Sequence, residues 1–134
     1  GAIHLALYAA RSYLAAHGTP AHPEQSLRGH RVVMFAQSRA FDVENNWFAA
    51  RLGEAEVVLR SDSVSAIYAA TLAGLGIALL PVLVAGREPD LVQLPTGLAA
   101  EPRIIWQGVH RDLMKSARVQ AVMSFLADVV ATEV

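Results

Sequence analysis

The residues at positions 110–113 have the types and the order that could carry out phosphoryl transfer. They read His-Arg-Asp-Leu, the start of the protein-kinase catalytic loop, in which the aspartate accepts the proton of the substrate hydroxyl. The asparagine that binds Mg²⁺ in that loop should stand four residues after Leu113, where this chain has Ala117. A glycine-rich phosphate loop and an Asp-Phe-Gly are also absent from the sequence. We therefore interpret the tetrapeptide as a coincidence and predict no enzymatic activity.

The histidines and serines are the next candidates for chemistry, and their spacing argues against it. The five histidines stand at positions 4, 17, 22, 30 and 110, with no pair four residues apart on a predicted helix. There is no cysteine to supply a thiolate. The serines lack the Gly-x-Ser-x-Gly turn of an activated nucleophile, so Ser61 and Ser63 are predicted to cap a helix. We expect neither a metal nor a cofactor.

Two glycines in residues 71–81, TLAGLGIALLP, raise the question of nucleotide binding. A dinucleotide turn places Gly-x-Gly-x-x-Gly after a strand and before a helix, where free helix N–H groups meet the pyrophosphate. Here Gly74 and Gly76 follow a predicted helix and precede a predicted strand, and the third glycine position holds Leu79. The stretch is therefore predicted to be scaffold, with Gly74 ending the helix in the left-handed conformation.

Composition and charge exclude further classes of function. The 134 residues are 54% apolar, yet no apolar run approaches the length of about 18 residues that a membrane-spanning helix needs. Eleven Lys and Arg against twelve Asp and Glu are scattered singly, whereas nucleic-acid binding requires clustered cations. The first residues show no secretory leader. We expect a cytoplasmic chain of one folding unit, or a part of a larger one, with no affinity of its own for DNA or membranes.

The elements that would position a site follow from apolar periodicity. Strands are predicted at residues 3–8, 31–35, 55–60, 77–80, 91–94 and 103–109. Helices are predicted at residues 13–17, 47–52, 64–74, 82–86 and from Ser116 onwards. Residues 19–29, 36–46 and the linker before Pro102 are expected to be irregular. Strands alternating with helices predict parallel β-α-β units and an α/β fold. Trp47 and Trp106 are predicted to pack in the core or at a hinge, and the alternative is that they stack on a ligand.

The order of these segments resembles a known family. The run YAARSYLAAHGTPAHPEQSLRGHRVV is followed by a lone Trp47, AEVVLRSDS, AATLAGLGIALLP, LVQLP, RIIWQGVH and a closing helix, ARVQAVMSFLADVV. This sequence resembles the effector-binding domain of LysR-type transcriptional regulators over almost the whole chain. The combination of Y-A-x-x-x-Y-L-x-x-H-G with A-G-L-G-I-A-L-L-P at this spacing carries most of the specificity.

The resemblance implies a Rossmann-like lobe of a type II periplasmic-binding-protein-like fold, with an incomplete second lobe. In the family, two such lobes are joined by two crossing strands, which residues 3–8 and 103–109 match. Residues 1–109 would form the lobe called regulatory domain II, including the crossing strands. Residues 110–134 would be the C-terminal segment and helix that return to regulatory domain I. The family's helix-turn-helix and most of regulatory domain I have no counterpart in this sequence.

The resemblance also implies where a ligand would bind. In the family, the loop after the strand written here as RVVMF reaches the inducer in the cleft, and the start of the following helix is the next candidate. The implied effector-binding residues are Ala36, Gln37, Ser38, Ser61, Asp62 and Ser63. Asp62 argues against an anion at the helix start, while the loop offers neutral donors. The alternative is that both segments only cap and solvate the fold.

The resemblance implies partners as well. They are a small-molecule effector, further copies of the chain in a homodimer or tetramer, and DNA only through a helix-turn-helix domain that this sequence lacks. The apolar stripe of the last helix predicts an association surface. We hypothesise that the chain is half of a two-chain domain, a swapped dimer or a cropped domain stabilised by crystal contacts. Two other classes stay open. They are a solute-binding protein of a transporter, which shares the fold, and an enzyme, for which no paired carboxylates or activated nucleophile are seen.

Overall fold

A computed structural model of the chain describes residues 1–96 and 99–133. The helices of this part are α1 (Arg11–His17), α2 (Asp42–Leu52), α3 (Val64–Leu72), α4 (Val82–Ala85) and α5 (Ala117–Glu133). The strands are β1 (Ala2–Ala10), β2 (Arg31–Phe35), β3 (Glu56–Ser61), β4 (Ala78–Pro81), β5 (Leu91–Gln93) and β6 (Ala99–Ile104). Short 3-10 turns occupy Arg39–Phe41 and Arg111–Leu113. The alternation of strands and helices confirms the predicted α/β class.

The strands form one four-stranded and one two-stranded sheet. β1 pairs antiparallel with β4 and β5, in a register that sets Leu7 opposite Leu79, and β6 also pairs with β1. β2 pairs parallel with β3, and α2 connects them as a β-α-β unit. The prediction of parallel pairing is therefore right for β2 and β3 and wrong for β1, which runs antiparallel to β4 and β5.

A close backbone approach at Gly76 links the two sheets. Ile77 donates its N–H to Arg31 O at 2.8 Å, and Val33 donates to Ile77 O at 2.8 Å. A Cβ built on Gly76 would lie 2.6 Å from Arg31 O, a separation at which one group must move. Gly76 is therefore required for space, whereas Gly74 has a φ of 83° and is required for its left-handed backbone. Both glycines belong to the scaffold, as the sequence predicts.

The core lies between these sheets and the helices that cover them. Its largest fully buried apolar side chains include Tyr8, Tyr13, Phe48, Leu7, Leu27, Ile67, Ile77, Leu79, Leu80 and Leu94. α3 begins at its predicted place, since Ser63 Oγ accepts from Ala66 N at 3.3 Å and caps the first turn. The inward face of α3 buries Ile67 and Thr71, four residues apart, and this spacing is what the apolar period predicts.

The chain divides into two compact units. The larger comprises His4–Glu101, and the smaller comprises Gly1–Ile3 with Pro102–Val134. The polypeptide passes from one unit to the other inside β1 and again inside β6. Among the described residues, no helix combines the length and the apolar character needed to cross a membrane.

Three sequence predictions need correction. The irregular segment predicted at residues 36–46 contains a 3-10 turn and the start of α2 at Asp42. The helix predicted at residues 47–52 therefore begins five residues earlier. Its first part was missed because it buries Glu44, and a carboxylate at an inward position hides the apolar period. The last predicted strand lies earlier, at Ala99–Ile104, and includes Pro102, which an edge strand accepts. Positions 97 and 98 of the predicted linker lie outside the described residues.

The third correction concerns Trp106, which was predicted to pack. Its side chain is 87% exposed, whereas Trp47 is partly buried with the Arg51 guanidinium 3.8 Å above its ring. Trp47 therefore fits the packing prediction and Trp106 does not.

Candidate functional site

The parallel pairing of β2 and β3 brings their carboxyl ends side by side. The register sets Phe35 opposite Ser61, and Ala36 N donates to Ser61 O at 2.9 Å. In open α/β sheets, ligands bind outside the carboxyl ends of the strands. The two predicted site segments, residues 36–38 and 61–63, thus meet at the edge of the sheet where a ligand is expected.

A pocket of about 430 Å³ opens beside the first of these segments. Its lining residues come from both strands, the loop after β2 and one face of α2, and they are Met34, Gln37, Ser38, Arg39, Asp42, Asn45, Asn46, Ala49, Leu52 and Arg60. Of the predicted site residues, Gln37 and Ser38 line this pocket. The other four predicted site residues do not line the pocket, although they are close in sequence to its lining residues Gln37 and Arg60. They are Ala36, Ser61, Asp62 and Ser63.

Two side chains fix the loop backbone where β2 ends. Asn45 Nδ2 donates to Ala36 O at 3.0 Å, and Arg60 Nη1 donates to Phe35 O at 3.2 Å. Phe41 stacks on Phe35 with ring centroids 4.5 Å apart, which holds the 3-10 turn against the end of the strand. The carbonyl groups at the exit of β2 are therefore bonded to α2 and β3, and the pocket wall is formed by the fold itself.

The hydroxyl groups at the start of α3 bond to the backbone. Ser61 Oγ accepts from Ser63 N at 3.1 Å, and Ser63 Oγ accepts from Ala66 N. Each hydroxyl keeps its own hydrogen to donate, because a serine both donates and accepts. Asp62 is exposed. Helix capping is thus observed at Ser63, whereas Ser61 bonds to the backbone of the turn before the helix. Both hydroxyl groups keep a hydrogen to donate.

Sequence reasoning missed five polar members of the pocket lining, which are Arg39, Asp42, Asn45, Asn46 and Arg60. Arg39 and Asn45 fall in the segment that was predicted to be irregular. Arg60 falls in a strand that was predicted from its apolar residues, and its own side chain was not considered as a ligand contact. A usable signal was present, because Arg60 stands near the carboxyl end of β3 and the Asn45-Asn46 pair lies one turn into a helix.

A second polar cluster surrounds Tyr13, away from this pocket. Tyr13 OH accepts from Arg31 N at 2.9 Å and lies 3.0 Å from His30 Nδ1. Burial lowers the pKa of His30 below its ordinary value of 6.5, and the neighbouring His17 lowers it further. The lowered pKa favours the neutral imidazole, in which an unprotonated Nδ1 is able to accept the Tyr13 hydrogen.

The remaining sequence candidates have structural roles. His110 Nδ1 accepts from Asp112 N at 3.3 Å and caps a 3-10 turn on an exposed segment. Within residues 1–96 and 99–133, no three His, Asp or Glu side chains are placed to hold a metal ion together.

Comparison with solved structures shows a shared fold. The regulatory domain of CrgA, a LysR-type transcriptional regulator from Neisseria meningitidis, superposes with a TM-score of 0.70 at 19% identity, over 96% of this chain and 65% of that domain. Full-length AphB, a virulence activator of Vibrio cholerae, gives a TM-score of 0.56 at 20% identity, over 76% of this chain and 36% of that protein. The chain thus spans less than two thirds of the length of either one.

Sequence comparison gives the family. A search of curated proteins found no match. The family model described as the LysR substrate binding domain matches residues 1–131. This family has a type II periplasmic-binding-protein-like fold and occurs in transcription regulators, in agreement with the mixed sheets and helices. The chain therefore belongs to the LysR substrate binding domain family.

Proposed function

We propose that this chain is the effector-sensing part of a LysR-type transcriptional regulator and binds a small-molecule effector where β2 and β3 end. The observation that carries the proposal is the junction of residues 36–38 with residues 61–63, joined by the Ala36 to Ser61 hydrogen bond beside a 430 Å³ pocket. That volume lies within the usual range for small-molecule sites, about 300 to 1,000 Å³.

In this proposal both the loop after β2 and the start of α3 contact the ligand. Gln37 and Ser38 line the pocket and present an amide and a hydroxyl to a ligand. Ser61, Asp62 and Ser63 add the donors and the carboxylate at the start of α3. The effector changes the protein by stabilising the arrangement that binds it better.

The proposal extends to the assembly of the regulator. Residues 1–109 act as regulatory domain II with its crossing strands, and residues 110–134 return to regulatory domain I. Copies of the chain associate through their effector domains, and DNA is bound through a separate helix-turn-helix domain in the cytoplasm. The family match favours this role over a transporter's solute-binding protein.

The test is a thermal-shift screen of the chain against a broad library of small polar metabolites, followed by calorimetry. A ligand at a hundred times its dissociation constant adds about 2.7 kcal/mol to the free energy of unfolding, which is readily measured. Gln37→Ala and Ser38→Ala should each weaken a hit by roughly five- to tenfold. Ser124→Ala, on the exposed surface of α5, is the matched control. Absence of any hit, or hits that ignore both loop substitutions, would contradict the proposal.

A separate substitution tests the helix start. Ser63→Ala should lower the free energy of unfolding by about 1 kcal/mol, because the first turn of α3 loses its cap. If the helix start also contacts the effector, the same variant binds a hit several-fold more weakly. An unchanged affinity with the expected loss of stability would restrict Ser63 to capping and leave the site to the loop.

A further inference from the structure

The pocket beside Gln37 and Ser38 carries a charge pattern that the sequence did not reveal. Arg39 from the 3-10 turn and Arg60 from β3 line it together, with Asp42 from the first turn of α2. Two guanidinium groups against one carboxylate leave the lining with one net positive charge. The remaining polar groups are the amides of Gln37, Asn45 and Asn46 and the Ser38 hydroxyl.

The pocket arginines differ from other arginines of the same compact unit. Arg28 Nε lies 2.8 Å from Glu54 Oε2, and Arg31 Nε lies 3.5 Å from Glu56 Oε2, so both are paired with acidic side chains. In the described part of the chain, Arg39 has no ion pair or side-chain hydrogen bond, and Arg60 has only its bond to Phe35 O. A guanidinium has five N–H donors, so most donors of Arg39 and Arg60 remain for a ligand.

The pattern selects a class of ligand. A guanidinium matches a carboxylate geometrically and binds it by two parallel hydrogen bonds. Asp42 on the same wall disfavours a second negative charge and favours a hydroxyl or ammonium donor. None of the ten described lining residues is aromatic, so the pocket offers a ligand ring no aromatic side chain to stack on.

We propose that this pocket binds a small carboxylate that also carries a hydroxyl or ammonium group, with the carboxylate held by Arg39 and Arg60 and the donor group held by Asp42. The inference rests on the proposed function and specifies the ligand of the same site.

The experiment measures binding to the full chain by calorimetry and by the Nε–H resonances of arginine in two-dimensional NMR. The probes are serine and glycerate, which have both groups, propionate, which lacks the donor, and glyceramide, which lacks the charge. Serine or glycerate should bind roughly tenfold more tightly than propionate or glyceramide, and should shift the Arg39 and Arg60 resonances. Raising the salt concentration should weaken carboxylate binding.

Substitutions assign the contacts. Arg39→Gln should weaken the better of the two probes by roughly tenfold. Because the Arg39 side chain makes no ion pair or hydrogen bond within the described chain, its replacement should leave the fold intact. Arg60→Lys keeps the charge but loses the paired geometry, so an intermediate loss is expected. Asp42→Asn separates the two ligand types, because it should weaken serine more than glycerate. Arg118→Gln, on exposed α5, removes the same charge elsewhere and is the control.

The outcomes separate this inference from the proposed function. Equal affinity for glycerate and glyceramide, no saturable binding of any probe, or indifference to Arg39→Gln would each overturn the inference. An uncharged library hit that depends on Gln37 and Ser38 would leave the proposed function standing while the carboxylate assignment fails. A library without hits would remove the function itself.

Discussion

The two compact units of the chain bury their apolar side chains to very different extents. In His4–Glu101, side chains such as Leu7, Leu79 and Ile77 are at most 1% exposed. In the described residues of the other unit, 1–3 and 102–133, no residue is buried. Its apolar side chains are instead open, including Trp106 at 87% and Phe125 at 65%.

The difference shows that apolar content and burial are separate properties. α5 has the apolar stripe of a surface helix, yet Val122, Leu126 and Val129 on it are 57%, 46% and 41% exposed. Contiguous exposed apolar surface of this kind marks a place of association. We therefore expect most of the free energy of folding to come from the larger unit. The apolar face of α5 in the smaller unit is expected to be buried only when another surface associates with it.

The largest effect is expected from a pair of leucine truncations that compares the units directly. Leu79→Ala should lower the free energy of unfolding by about 2 to 5 kcal/mol, because it leaves a cavity in the core. Leu126→Ala removes a side chain that is 46% exposed, and should cost below about 1 kcal/mol. Urea denaturation of both variants measures the contrast. Equal losses would break the comparison and show that the α5 face is covered in solution.

An intermediate effect is expected from a pair of glycine substitutions. Gly76→Ala introduces a Cβ that would lie 2.6 Å from Arg31 O, and should cost about 1 to 3 kcal/mol through overpacking. Gly108→Ala meets no atom within 4 Å and is the matched substitution in the smaller unit, where little change is expected. Thermal unfolding of both variants sharpens the comparison. A silent Gly76→Ala would mean that β2 and residue 77 approach less closely than the structure shows.

The smallest effect is a pH dependence within the larger unit. Well above pH 6.5 the His30 imidazole is neutral in both the folded and the unfolded chain, and its contribution to the free energy of unfolding does not change with pH. Because burial lowers its folded pKa, the unfolded chain takes up the proton first as the pH falls below 6.5. Stability should therefore fall until the pH passes the folded pKa of His30, and then level off.

Urea midpoints measured between pH 7.5 and the onset of acid unfolding test this dependence, with about 0.5 pH spacing sufficient to resolve one titration. His30→Gln should flatten the curve, and His4→Gln, which removes an exposed imidazole, is the matched control. A curve of the same slope in the His30 variant would show that another group carries the titration.

Local signals allowed much of the fold to be predicted. Ser63 caps α3 because a serine hydroxyl reaches the N–H three residues ahead, a rule that depends on no distant contact. The strand at residues 31–35 is an uninterrupted apolar run after its first residue, and the structure forms it there. The orientation of β1 was predicted wrongly because strand direction depends on which neighbours pair, and periodicity does not contain that information.

The candidate site was predictable only in part, because distant residues meet there. Gln37 and Ser38 were found through the family resemblance and line the pocket. Arg60 is 21 positions beyond Arg39 in the sequence, and only the parallel pairing of β2 with β3 brings both to one cavity. Trp106 gave the opposite error, since an aromatic side chain suggests packing whether or not the structure supplies a partner.

The backbone contact at Gly76 has a consequence for how the larger unit opens. The amide of Val33 bonds to Ile77 O and that of Ile77 bonds to Arg31 O, so each is satisfied across the junction of the two sheets. Both residues are at most 1% exposed, and solvent reaches these hydrogens only when the sheets come apart. Slow deuterium uptake at these two positions therefore reports the cooperative unfolding of the whole unit, and fraying of a single strand end leaves it unchanged.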